Sequence, residues 1–97
     1  WFIGNDTPGN KAFVEAYSKK FGVNPDQFAA QAYAGVYIMA NAIKKAGAAN
    51  SQAIRDALAQ TKDLDTVLGK FSFNEKRDPV HTPVVQVIKD GKFELFK

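Results

Sequence analysis

His81 is the only histidine in this sequence of 97 residues. It is therefore the one side chain whose unshifted pKa suits a general base near neutral pH. It lies in a segment flanked by Pro79 and Pro83. No serine, cysteine or carboxylate stands around it at a spacing that would make a nucleophile or an acid partner. His81 therefore reads as a surface or hinge-loop residue. One histidine and no cysteine leave no zinc-ligand pattern. Asn74, Glu75 and Asp78 put oxygen donors close together, but the glycine and terminal glutamate of a calcium loop are missing. Gly4 and Gly9 do not stand in phosphate-loop or dinucleotide spacing. The ten carboxylates are scattered and mark no acid–base pair. No catalytic residue, no metal site and no cofactor are expected; the chain does not read as an enzyme.

Two residues are better placed to hold a ligand than to transform one. Phe28 stands at the start of an apolar helical run, where an aromatic ring either packs in the core or floors a pocket. Gln31 is polar inside the same run. A buried amide needs partners, so Gln31 either bonds backbone or faces a wet cleft.

Three helices must position these residues. Asn5 to Asn10 is dense in turn formers, and Thr7 or Asn10 caps a first helix with Pro8 at its start. Phe13, Tyr17 and Phe21 recur every four residues as its apolar stripe, with Val14 and Ala16 beside them, and Gly22 stops it. Asn24-Pro25 opens a second helix that runs to about Ala46 before Gly47. Phe28, Ala32, Val36, Met39 and Ile43 make one of its stripes. Ala29, Tyr33, Tyr37 and Ala40 make another. A helix apolar over so much of its circumference is packed on several sides. Asn50 or Ser51 caps a third helix to about Thr61, with Ile54 and Leu58 inward. The period then changes. Val67, Leu68, Phe71 and Phe73 form a β-prone stretch broken by Gly69, and 74–79 is a polar loop. Val84, Val85, Val87 and Ile88 form the clearest strand. Asp90-Gly91 then signals a hairpin into Phe93, Leu95 and Phe96.

Composition bounds the partners. Thirteen Lys and Arg against ten Asp and Glu leave a net charge of +3, but the cations come in dispersed pairs. Lys19-Lys20 and Lys44-Lys45 fall at helix C-termini, where they complement the helix dipole, so no nucleic-acid partner is expected. A 45% apolar content excludes disorder, and no run nears the ~20 apolar residues of a membrane span. The length allows one domain, able to bury roughly two-thirds of its unfolded surface. The absence of cysteine excludes disulfides and leaves the compartment open. The chain opens at Trp1 with neither a start methionine nor a leader, which reads as a piece of something longer.

Six pieces in order carry a family resemblance: Phe13-Val-Glu-Ala-Tyr17 with Phe21-Gly22; the run from Phe28 to Gly47; Ile54-Arg-Asp-Ala-Leu58; Gly69-Lys-Phe-Ser-Phe73; Arg77-Asp78; and Val85-Gln-Val-Ile-Lys-Asp-Gly-Lys-Phe93. Together they resemble the C-terminal part of periplasmic branched-chain amino-acid-binding proteins, the type I solute-binding components of ABC importers. The resemblance implies an α/β fold: a C-terminal fragment of a two-lobed type I periplasmic-binding-protein fold, with three helices followed by short strands and a β-hairpin. It places residues 1–74 in the first lobe, 75–83 in a hinge crossover and 84–97 in a hairpin of the second lobe. It implies that the whole protein captures a small amino acid or related small carboxylate, branched-chain first, in the periplasm or outside the cell. An ABC permease would receive that ligand. Phe28 aligns with an aromatic position of the family's ligand cleft; Gln31, one turn on, is the second candidate and has no motif match. Ala34 stands where many relatives carry Asp. A ligand-sensing receptor domain of the same fold and an unrelated small α+β domain are the alternative readings. The lobe's sheet is mostly outside this sequence, so the apolar face of residues 28–43 makes self-association of the fragment an expectation.

Overall fold

Helix α1 (Pro8–Phe21) begins at Thr7. The threonine backbone is extended and its hydroxyl accepts from the Asn10 amide at 3.3 Å, with Pro8 in the first turn. Of the two cap candidates Thr7 does the capping, and Asn10 does something else, described below. The computed structural model describes residues 1–97. Helix α2 (Gln27–Ala46) starts two residues later than Asn24-Pro25 suggests. Asp26 is its cap: extended, with its carboxylate accepting from the Ala29 amide at 2.8 Å. A charged acceptor at that point outcompetes a proline start, and Pro25 is buried ahead of the helix instead. Helix α3 (Ser51–Ala59) is capped by Asn50, which accepts from the Ala53 amide at 2.9 Å. The lysine pairs do stand in the last turns of α1 and α2.

Five short strands follow: β1 (Leu64–Thr66), β2 (Gly69–Phe73), β3 (Pro79–Val80), β4 (Gln86–Lys89) and β5 (Lys92–Leu95). The first three form one antiparallel sheet in the order β1-β2-β3, and β4-β5 form a separate hairpin. Val67 and Leu68 are the two-residue turn between β1 and β2 rather than strand. Thr66 Oγ1 holds that turn, accepting from the Leu68 amide and donating to the Gly69 carbonyl at 2.8 Å. The loop of residues 74–78 is organised by Asn74. Its Oδ1 accepts from the amides of Lys76 and Asp78, each at 2.9 Å.

In the last hairpin, Asp90 (φ 49°) and Gly91 (φ 74°) both have positive φ, the signature of a type I′ turn. Only four residues per strand pair, so Val84 lies outside the strand expected from its apolar run and Val85 adds a single bond from the Phe96 amide. Gly91→Ala is expected to cost the hairpin about 1 kcal/mol, because a Cβ is disfavoured at this φ. Amide exchange in β4 and β5 should quicken by about five-fold while α1–α3 keep their rates.

The core is small: Phe13 from α1, Ala30, Ala34 and Ile38 from α2, Val67 from the turn and Phe71 from β2. This corrects the burial expected of α2. The buried line is Ala30, Ala34, Ile38 and Ala42, three of them alanine, so α3 and β1 approach on mostly small side chains. Both stripes read from the sequence lie largely outside it: Phe28 is 70% exposed and Val36 69%, and Tyr33, Tyr37, Met39 and Ile43 are exposed as well. The helix is thus apolar on every broad face, and this chain covers only one of them.

Candidate functional site

Two concavities flank α2. The first, about 540 Å³, lies beside its middle and is lined by Tyr33 and Tyr37, by Thr7 and Pro8, and by Asp65 and Lys70 of the β1–β2 hairpin. Its polar side chains pair with one another. The tyrosine hydroxyls are 3.3 Å apart, and that bond, with lesser contributions from burial and charge, raises the Tyr33 pKa. Lys70 Nζ is 2.7 Å from Asp65, whose hydrogen bond and charge raise the lysine pKa. The floor is the exposed apolar face of α2.

The second, about 560 Å³, joins three distant parts of the chain. Trp1, Phe2 and Ile3 form one wall, Pro25 to Phe28 another, and Gln86 and Phe93 of the terminal hairpin close the third. Phe28 comes from the first turn of α2, where the Asp26 cap sets the helix entry. Its ring is exposed, so it is not a core residue of this chain. Phe93 reaches the same space because the type I′ turn sets it opposite Ile88, with Gln86 opposite Leu95. These two pairs are two residues apart and share a face of the hairpin. The Trp1 wall is anchored from α1. Asn10, 1% exposed, accepts from Trp1 Nε1 at 2.6 Å through Oδ1 and donates through Nδ2 to the carbonyls of Ile3 (2.9 Å) and Asn5 (3.1 Å).

The structure separates the two binding candidates. Phe28 lines the second concavity; Gln31 lines neither, is exposed, and its side chain makes no hydrogen bond. Phe93, Trp1 and Gln86 were not legible as site residues. The hairpin signal at Asp90-Gly91 sets which residues share a face, but nothing in the sequence says which helix that face meets. His81 stacks near-parallel to Phe71, with centroids 6.3 Å apart, and makes no hydrogen bond. No three His, Asp or Glu side chains converge as a metal site, and no helix is long and apolar enough to cross a membrane.

A family profile described as periplasmic binding protein matches residues 1–92. The Leu/Ile/Val-binding protein homolog 2 of Brucella abortus is 31% identical over 96 residues, which is 95% of this chain and 26% of that protein. Among solved structures, the branched-chain amino acid transporter substrate binding protein LivJ of Streptococcus pneumoniae, in complex with isoleucine, is 39% identical with a TM-score of 0.85, covering 97% of this chain and 26% of that one. A putative branched-chain amino acid ABC transporter protein of Rhodospirillum rubrum is 33% identical with a TM-score of 0.83, covering 99% and 28%. The chain spans about a quarter of the length of the relatives it matches.

Proposed function

This chain belongs to the periplasmic binding protein family, and we propose that it is part of a solute-binding protein that captures a small amino acid, branched-chain first, and delivers it to an ABC permease. Such a protein would work in the periplasm or outside the cell, and would bind its ligand without changing it chemically. Residues 1–74 would belong to one lobe, 75–83 to a crossover and 84–97 to the other lobe. The observation that carries this reading is Phe28. A large ring at a helix start is left out of the core and turned to a concavity whose opposite wall, the hairpin, comes from the far end of the chain. Two parts of the chain facing each other across a space of this size suit capture by closure. The likeness to proteins described as binding isoleucine, leucine and valine supports the ligand class. An aliphatic side chain fully buried in such a place gains roughly 1.5–3 kcal/mol.

The test is Phe28→Ala in a polypeptide extended to the relatives' length. Titration calorimetry with leucine, isoleucine and valine should show affinity falling by about ten-fold. The melting temperature without ligand should hold, because the ring is exposed. Unchanged affinity with a lowered melting temperature would return Phe28 to packing.

A further inference from the structure

One hydrogen bond joins the terminal hairpin to everything before it. Gln86 Nε2 donates to the Trp1 carbonyl at 2.7 Å, across 85 positions of sequence. No other hydrogen bond or ion pair runs from residues 84–97 to residues 1–83; those of the hairpin are internal, including Lys89 with Glu94. The acceptor is itself held. The Trp1 indole is bonded to buried Asn10 and meets the Phe13 ring edge-on at 6.3 Å between centroids. Trp1 is thus held on α1, and its carbonyl is the point that the hairpin reaches. Both partners line the same concavity as Phe28 and Phe93.

We propose that Gln86 is a positioning residue. Its amide pins the hairpin to the Trp1 carbonyl and so sets how far Phe93 stands from Phe28 across the concavity. With one pin and little else, the hairpin can turn about Gln86 while the helical body stays as it is. A donor is required at this position, since the partner is a carbonyl. The inference rests on the two-body reading proposed above.

The chain has no cysteine, so spin labels can be placed through Arg55→Cys on α3 and Lys92→Cys on β5, both exposed. Labelled chain is diluted into unlabelled chain, and the interspin distance distribution is measured at neutral pH and near pH 3.5. Three versions are compared: the parent, Gln86→Ala and Gln86→Glu. The glutamate keeps the shape but, ionised, offers no proton to the carbonyl. Both variants should shift the ratio of docked to undocked hairpin by about five-fold at neutral pH. Below the ordinary carboxyl pKa of about 4.3 the protonated glutamate donates again, so Gln86→Glu should return toward the parent while Gln86→Ala does not. Asp26 on the facing wall, the Trp1 amino group, and Lys89 and Glu94 on the hairpin are common to all three, and the parent at both pH values accounts for them. A parent-like distribution in either variant at neutral pH overturns the proposal. So does a glutamate variant that stays displaced in acid, which would assign the residue to packing. No amino acid is used, so this result and the affinity measurement on Phe28 can fail separately.

Discussion

Purified alone, the 97-residue chain is expected to sediment at twice its 10.6 kDa or more. Its accessible surface is 7275 Å². A compact monomer of this mass exposes about 5,500 Å². The excess, about 1,800 Å², is more than the roughly 800 Å² that each partner contributes to a standard interface. The radius of gyration, 15.2 Å, likewise exceeds the about 12.5 Å of a compact domain this long. Only 11 of 97 residues are buried, too few for the apolar content to be a private core. The apolar α2 face of Tyr33, Val36, Tyr37, Met39 and Ile43 is uncovered, and so is Phe21 of α1. We propose that the remainder of a longer polypeptide covers this face in the whole protein and that a second copy covers it in isolation. Val36→Asp with Ile43→Asp should then restore a 10.6 kDa species. Both side chains are exposed, so the helices should survive the change. A parent chain that sediments as a monomer and binds little apolar dye would refute this.

In that monomeric background, Asn10→Ala is expected to cost about 3 kcal/mol, read from the urea midpoint. The side chain is 1% exposed and holds three partners: the Trp1 indole, and the carbonyls of Ile3 and Asn5. Truncation strands all three half-buried groups, and a stranded group costs about 1–3 kcal/mol where water does not reach it. Asn10→Asp should do no better. It keeps the acceptor for Trp1 but turns a carboxylate toward two carbonyls, where the amide had donated. Trp1, the only tryptophan, should report the release as a red-shifted emission. A change under about 0.5 kcal/mol, with emission unmoved, would mean that residues 1–5 are not docked on α1.

Where short-range chemistry decides, the sequence was readable. Thr7, Asn50, Gly22, Gly47 and the Asp90-Gly91 turn each act within four residues of themselves, and each does what its type predicts. The six family pieces belong to this level too, because a matching order of such local signals is what makes a chain resemble others. Asp26 displaced the expected start of α2 for an equally local reason, a carboxylate cap beside a proline.

Periodicity showed α2 to be apolar on several sides; it did not determine which side this chain covers. Three of the four residues in the buried line, Ala30, Ala34 and Ala42, are smaller than Phe28, Val36 or Tyr37, which stay exposed. Close approach of α3 and the β1–β2 hairpin needs small side chains, and that approach is a property of the packed chain rather than of any window along it. Asn10 read as a second cap candidate, because nothing local says that Trp1, nine positions away, will fold back onto it. The same holds for the site. Residue type singled out Phe28, but its neighbours Trp1, Gln86 and Phe93 come from the two ends of the chain and meet only in three dimensions. Composition and spacing determined the elements, and six local pieces in order carried the resemblance to the family. Tertiary structure alone decided which apolar face was left uncovered and which residues share the concavity, because both depend on contacts between residues far apart in sequence.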